Sequence, residues 1–414
     1  MKSTSKSKQE ALNLNTQLLL DDFSLLNETN QQHKVSKWTT FKYWYYNTSA
    51  NIYKYFVRHP LYGYSFKRIL YGLITLLLSI VILYVVIRLI TPNEKYLPPD
   101  IEKTGLSRAQ QDKLLEDRMK RFGVYGPLIP QILTYLKNIT PFIPKQIVLG
   151  SEVIISQNGQ EIVVSSKLIT ETRYVYLGVT TATTVAEEGS DALSIFLKAM
   201  PYSFAIGSVS VLISYALAIL IGVRAAKKKG KLFDNVFNGI SALVLAIPSI
   251  VIIIGTFIFS VAVLGNSGIY NTGSFATRFW PIFAIVVINL PGIAAFVRRY
   301  IVDEMTVDYA KFALAKGTSS NKTYYVHIFR NAGVRIIRSI PSEIILTVFG
   351  SSMIVETQWA IPGMGRLIKE SAGGNDFFVF LGFTVLSSFV SIFAKLLADL
   401  VHVLLDPRVS LTKD

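Results

Sequence analysis

The residue types that do chemistry are sparse in this chain, and their spacing argues against a catalytic centre. Four histidines, His33, His59, His327 and His402, are scattered, and none has a partner at metal-ligand spacing. There are no cysteines, so disulfides, thiolate nucleophiles and cysteine metal sites are excluded. The adjacent acids Glu187 and Glu188, or Asp303 and Glu304, read as solvated loop charge rather than as acid/base dyads. A phosphate-cradling loop needs Gly-x-x-x-x-Gly-Lys-Ser/Thr; GTSSNK from Gly317 and GVRAAKKKGK from Gly222 both fail that spacing. We therefore expect no catalytic residue, no metal site, no cofactor bound directly and no ATP hydrolysis by this chain. Lys395 and Asp399 stand four apart within an apolar run, where snorkelling plus a local ion pair is the expectation.

The elements around these residues are apolar. The chain has 414 residues, 51% hydrophobic and 17% charged, with a mean hydropathy of +0.40, too apolar for an ordinary soluble domain. Ile69–Ile90 holds one charge in 22 residues, enough at about 1.5 Å per residue to span the roughly 30 Å of hydrocarbon in a bilayer. Further runs are Phe204–Val223, Gly239–Leu264, Trp280–Val297, Ile344–Val355 and Phe377–Leu405. The fifth is short and holds Gly350, Ser351 and Ser352, small residues that suit close helix packing. The expected fold is an all-α polytopic membrane protein of about six transmembrane helices, with an extracytoplasmic α+β segment inserted between the first two.

Charge orients it. Basic residues outnumber acidic ones 10 to 4 over residues 1–68, 5 to 1 over 224–235 and 8 to 4 over 298–343, whereas residues 91–200 hold 12 of each. The positive-inside tendency places both termini in the cytoplasm and residues 91–200 outside. The long polar stretch before the first apolar run is unlike a cleavable signal peptide, so the first helix is expected to stay as an anchor. This divides the chain into a cytoplasmic tail and interfacial segment (1–68), a first span (69–90), an extracytoplasmic insert (91–200) and a helical core (201–409) containing a cytoplasmic loop (298–342).

Residues 1–35 read as a poorly ordered tail, with LNLNTQLLLDDFSLL a candidate short helix. Residues 38–68 interleave aromatics with Lys and Arg. That pattern can stack single-stranded bases, but beside a span it fits an interfacial belt better. In the insert, Ser107 is a candidate cap for a helix over 107–120, with Glu116 and Lys120 paired on its surface. Residues 147–169 alternate β-branched and polar types around Asn158-Gly159, a hairpin signature.

The loop over 298–342 reads as two short helices, DEMTVDYAKFALAKG and TSSNKTYYVHIFRNAGVRII, broken at Gly317. DYAKFALAKG followed by HIFRNA resembles the oligopeptide and dipeptide branch of permease subunits of ATP-binding cassette importers. VETQWAIPGMGRL and LLADLVHVLLDPRV continue the resemblance in order, so that it covers residues 204–409. The single span before a large outer segment with RFGVYGPLIPQILTYL is most like the B-type subunit of the oligopeptide permease. Departures are the long tail and insert, Lys311 and Phe312 where the general importer pattern has Glu and Ala, and Arg335 in place of a proline. Arg335 and Arg338 would lengthen the second loop helix or touch lipid phosphates.

The resemblance implies a type I importer permease of the bacterial cell membrane that forms half of an oligopeptide path. Relatives of this branch carry dipeptides or nickel chelates. It implies a homologous second permease, two ATPase subunits holding ATP and Mg, and an extracytoplasmic substrate-binding lipoprotein, with membrane lipid around it and no nucleic acid. A channel, which would need pore-lining polar rings and no ATPase handle, and a non-transporting membrane sensor or scaffold are the rival readings. The ATPase-coupling residues would be Asp308, Tyr309, Lys311, Phe312, Ala313, Ala315, Lys316, Gly317, His327, Arg330 and Asn331. By their own types, Gly317 is equally an ordinary helix stop, and Tyr309, Phe312, Leu314 and Phe329 either pack inward or fill a partner groove. Pro362, Gly363, Met364 and Gly365 form either a turn outside the membrane or, by resemblance, an outer gate.

Overall fold

The computed structural model describes residues 37–58, 60–97, 101, 105–154, 164–180, 185–187, 189–374 and 376–405. The tail with its candidate helix, the Asn158-Gly159 turn and the closing LDPR motif from Asp406 lie outside the described residues. The chain divides into two compact units, residues 1–72 with 403–414, and residues 73–402. The first contains helix α1 (Lys37–Arg58) and the start of α2 (Pro60–Ile90). Pro60 opens α2 at the position where a missing N–H costs nothing.

The second unit begins with the rest of α2 and the insert. Helix α3 (Arg108–Arg121) starts where expected: Ser107 and Gln110 form a reciprocal capping box, and Glu116 bridges Lys120 at 2.6 Å. Helix α4 (Leu128–Ile139) turns Gln131 and Tyr135 inward. Arg88, the single charge of the first apolar run, gathers these pieces. Its guanidinium donates to Gln131 Oε1 (3.1 Å), Asn93 Oδ1 (2.8 Å) and the Val124 carbonyl (3.3 Å). The expected hairpin is β1 (Lys145–Ile154) against β2 (Val164–Arg173), antiparallel from Lys145↔Arg173 to Ile154↔Val164. Lys145 is buried at its root, donating to the Thr140 carbonyl (2.8 Å) and to the Val175 carbonyl, and loss of solvent lowers its pKa.

Asp191 caps the long helix α5 (Ala192–Lys227), so the helix starts well before the apolar run does. After α5 come α6 (Leu232–Ala246) and α7 (Ser249–Ile258), whose π-turn ends at Val263. The sequence expects one run there, but the two arms are bent by 92°. Pro248 is the physical reason, because it disfavours helical backbone at Ile247 and supplies no N–H to the next turn. Helix α8 (Phe275–Met305) packs along α5, where Gly222 leaves no room for a methyl against Val297 and the Ala294 carbonyl. Arg298 clamps Asp234 of α6 with bonds of 2.5 and 2.6 Å.

A short helix α9 (Asp308–Ala315), a π-turn (Thr323–Ile328), α10 (Phe329–Leu346), a second π-turn (Thr347–Ser351), α11 (Ser352–Gln358), α12 (Met364–Gly373) and α13 (Phe377–Leu405) follow. Among the described residues, four helices are long and apolar enough to cross a membrane, and up to five if the bent pair is one span. The weakest expected run, 344–355, lies in the α10–α11 stretch and straddles its π-turn. The insert, α2, α5, α11, α12 and α13 share one buried core around Tyr84, Tyr135, Phe196, Met364 and Phe378.

Candidate functional site

The loop after α8 is set by local chemistry. Thr306 ends α8, its hydroxyl donating to the Asp303 carbonyl at 2.8 Å, and extended Val307 starts α9. Asp308 in the first turn complements the helix dipole. The helix closes at Gly317, whose φ is +77°: its N–H donates to the Leu314 carbonyl (3.0 Å), and the Thr318 N–H reaches back to Ala313 (3.2 Å). The first loop helix is thus shorter than the expected run from Asp303, since that run contains the end of α8.

Packing sorts the loop's side chains. Ala310, Ile328, Ala332 and Ile336 are buried against Val223, Ala226, Val297 and Ile301 of α5 and α8. Tyr309 turns inward: its hydroxyl donates to Glu304 Oε2 at 2.7 Å, and Asn331 also bonds it. Burial, reinforced by Glu304 and opposed by Asn331, pushes this phenol up to about 12. Arg335 lies 3.6 Å from the same carboxylate and over the Tyr300 ring, while Arg338 bonds Asp399 at 2.9 Å. The two arginines on α10 therefore have protein carboxylates as partners, and Asp399 takes a cation from another helix. Phe329 also packs inward. Phe312 (66% exposed) and Leu314 (47%) face out, joined by exposed Tyr325 and Val326. Asp308, Lys311, Ala315, Lys316, His327, Arg330 and Asn331 line the same exposed stretch, with Ala313 half-buried.

The second candidate, after α11, is an internal joint. Trp359 is fully buried against Phe257, ring centres 5.1 Å apart, and its carbonyl accepts from Tyr270 N at 2.9 Å. Pro362 is exposed, while Gly363, Met364 and Gly365 are buried. Glu356, 0% exposed, is the organising residue. One carboxylate oxygen accepts from Gly365 N (2.7 Å), and the other accepts from Ser352 Oγ (3.1 Å). Ser203 of α5 accepts from Met364 N at 2.8 Å and bonds the same carboxylate. The opening N–H groups of α12, which lack a local side-chain cap, are satisfied from α11 and α5. A Cβ at Gly363 would lie 2.3 Å from Glu356 Oε2, and one at Gly365 would lie 2.3 Å from Met353 Cα.

Within VETQWAIPGMGRL no local motif singles out Glu356, and none points to Ser203. An acid ending an apolar run seven positions before Gly363 was the available signal. Among the described residues no three His, Asp or Glu side chains gather as a metal site.

Residues 218–411 match the family described as "Binding-protein-dependent transport system inner membrane component". The chain is 32% identical over 212 residues to the oligopeptide transport system permease protein AmiC of Streptococcus pneumoniae, covering 50% of this chain and 42% of that relative. It is 30% identical over 233 residues to the dipeptide transport system permease protein DppB of Bacillus subtilis, covering 54% of this chain and 73% of the relative. With the oligopeptide transport system permease protein AppB of the same organism it shares 27% over 241 residues, covering 55% and 75% respectively. The chain thus spans less than half the length of AmiC but most of DppB and AppB. With the loop closed at Gly317 and the buried Gly363–Gly365 joint both inside the matched region, this chain belongs to the binding-protein-dependent transport system inner membrane component family.

Proposed function

We propose that the chain is the membrane permease subunit of an ATP-driven oligopeptide importer of the bacterial cell membrane, with both termini cytoplasmic. It pairs with a homologous permease to form the path, and α9 to the start of α10 docks on one of two separate ATPase subunits that hold ATP and Mg. A substrate-binding lipoprotein delivers peptide at the outer face. The carrying observation is the sorting of the loop. Tyr309 and Phe329 anchor it rigidly to α5 and α8, while Phe312 and Leu314 remain exposed on a helix whose end is fixed by Gly317. A rigid handle with an aromatic anchor is what a groove-binding contact requires. The peptide class is supported by the named substrates of AmiC and DppB.

Closure of the ATPase dimer on ATP would draw the docked loops together and tilt the bundles, a rigid-body transition between inward- and outward-open states. The run from Phe329 to Gln358, about 45 Å at 1.5 Å per residue, links the docking loop to the Glu356 joint. Motion at the loop therefore has a direct lever to the outer gate at Pro362–Gly365. The test is capture of the ATPase subunits by tagged protein in mild detergent, together with ATP-dependent peptide uptake by the Gly317→Val variant. Capture by the native chain and loss of uptake in the variant are expected. Failure of the native chain to capture an ATPase, or normal uptake by the variant, would overturn the coupling assignment.

A further inference from the structure

Helix α1 lies outside the family match, and its surface has a chemistry of its own. At 100° per residue Trp38, Phe41, Trp44, Tyr45 and Tyr55 fall within about one third of the helix circumference. All five are exposed, Trp38 at 65% and Trp44 at 59%. Trp38 stacks on Phe41 with ring centres 5.9 Å apart, and Phe41 meets Trp44 at 6.0 Å, a continuous aromatic ladder along one face. By the same register Thr39 and Ala50 fall on the opposite side. Over its 22 residues the helix holds Lys37, Lys42, Lys54 and Arg58 and no acidic residue.

Only His59 separates α1 from α2, whose residues 63–90 are apolar enough to span a bilayer. The helix is therefore tethered at a membrane surface, and its chemistry suits that place. Aromatic rings favour the headgroup boundary, and basic residues favour anionic lipid. Stacked aromatics with basic residues also suit single-stranded nucleic acid, but the adjoining span favours lipid.

We propose that α1 is an interfacial helix that lies in the membrane surface with its Trp38–Phe41–Trp44–Tyr45 face immersed among anionic headgroups. This holds whether or not the chain couples to an ATPase, because it uses residues outside the docking loop. The absence of cysteine makes the experiment direct. Single-cysteine variants Phe41→Cys, Trp44→Cys, Tyr45→Cys, Thr39→Cys and Ala50→Cys of the full chain are spin-labelled in vesicles of phosphatidylcholine with phosphatidylglycerol. Collision with oxygen is then compared with collision with a water-soluble nickel chelate.

Labels at 41, 44 and 45 should favour oxygen over nickel by about tenfold relative to labels at 39 and 50, the contrast expected between hydrocarbon boundary and water. That contrast should weaken severalfold in pure phosphatidylcholine, and likewise when Lys37, Lys42, Lys54 and Arg58 are all replaced by Gln. Equal nickel access at all five positions would overturn the proposal. So would immersion indifferent to lipid charge, or labels immobilised by a single-stranded oligonucleotide instead of by anionic vesicles.

Discussion

Glycines do opposite work at the two ends of the α10–α11 stretch. Before it, Gly317 sits in open space with nothing within 4 Å of an added Cβ, and what the position requires is a left-handed backbone, φ +77°. After it, Gly365 has φ outside the left-handed region, and what it requires is absence of volume, with Met353 Cα 2.3 Å from where a Cβ would lie. The first is a constraint on chain direction that leaves side chains free for a partner. The second is a constraint on packing that leaves nothing free. The proposed docking surface and the internal joint thus carry the same residue for different physical reasons, and substitutions separate them.

The largest effect is expected at the joint. Gly365→Ala pushes a methyl group into backbone that cannot swing aside, and overpacking of this kind costs about 3 kcal/mol or more where the obstacle is main chain. The melting temperature in detergent should fall by several degrees, or the protein should fail to accumulate in the membrane. A stable, normally abundant Gly365→Ala variant would show that α12 shifts freely against α11 and would break the contrast.

Next comes the carboxylate that holds the joint. Glu356→Ala strips partners from the Gly365 N–H and the Ser203 hydroxyl, buried groups whose orphaning costs about 1–3 kcal/mol each, while the Ser352 hydroxyl keeps the Val348 carbonyl at 2.8 Å. Glu356→Gln keeps an acceptor for Gly365 N and should recover most of that loss. Equal destabilisation by the two substitutions would mean that charge, not hydrogen bonding, is what the joint uses.

How much of this contrast was legible beforehand follows from the range of each interaction. The Ser107 capping box, the hairpin strands and the stop at Gly317 depend on neighbours a few positions away, and residue types alone announced them. The bond between Ser203 and Met364 joins positions 161 apart, and no local pattern encodes it. Tyr309 and Phe312 illustrate the limit within one helix: three residues apart, they lie near one another on a helical wheel, and periodicity treats them alike. Glu304 and Asn331, brought in by α8 and α10, draw Tyr309 inward and leave Phe312 in solvent. The bend at Pro248 is intermediate, since the proline marks the break while its 92° angle is set by packing on α8 and α11.

At the proposed docking loop the substitutions should cost less stability and more function. Gly317→Ala carries only the left-handed backbone penalty of about 1–2 kcal/mol, since the added methyl group meets no atom. Its melting temperature should fall less than that of Gly365→Ala. A drop as large as that of the packed glycine would reveal a crowding at Gly317 that the surrounding space does not contain.

The smallest effect on stability and the most selective effect on function belong to Phe312. Its side chain is 66% exposed and packs in none of the buried cores, so Phe312→Ala should leave the unfolding free energy within about 0.5 kcal/mol of the parent. If the ring fills a groove on an ATPase subunit, truncation should weaken that contact by about 2 kcal/mol, roughly thirtyfold in affinity. The inward-facing Tyr309→Phe provides the control: it removes the hydroxyl bond to Glu304, costing about 1 kcal/mol of stability, while the outer surface of α9 stays intact. A variant pair in which Phe312→Ala keeps full ATPase affinity and Tyr309→Phe loses it would reverse the assignment, making the buried anchor the recognition element and the exposed ring incidental.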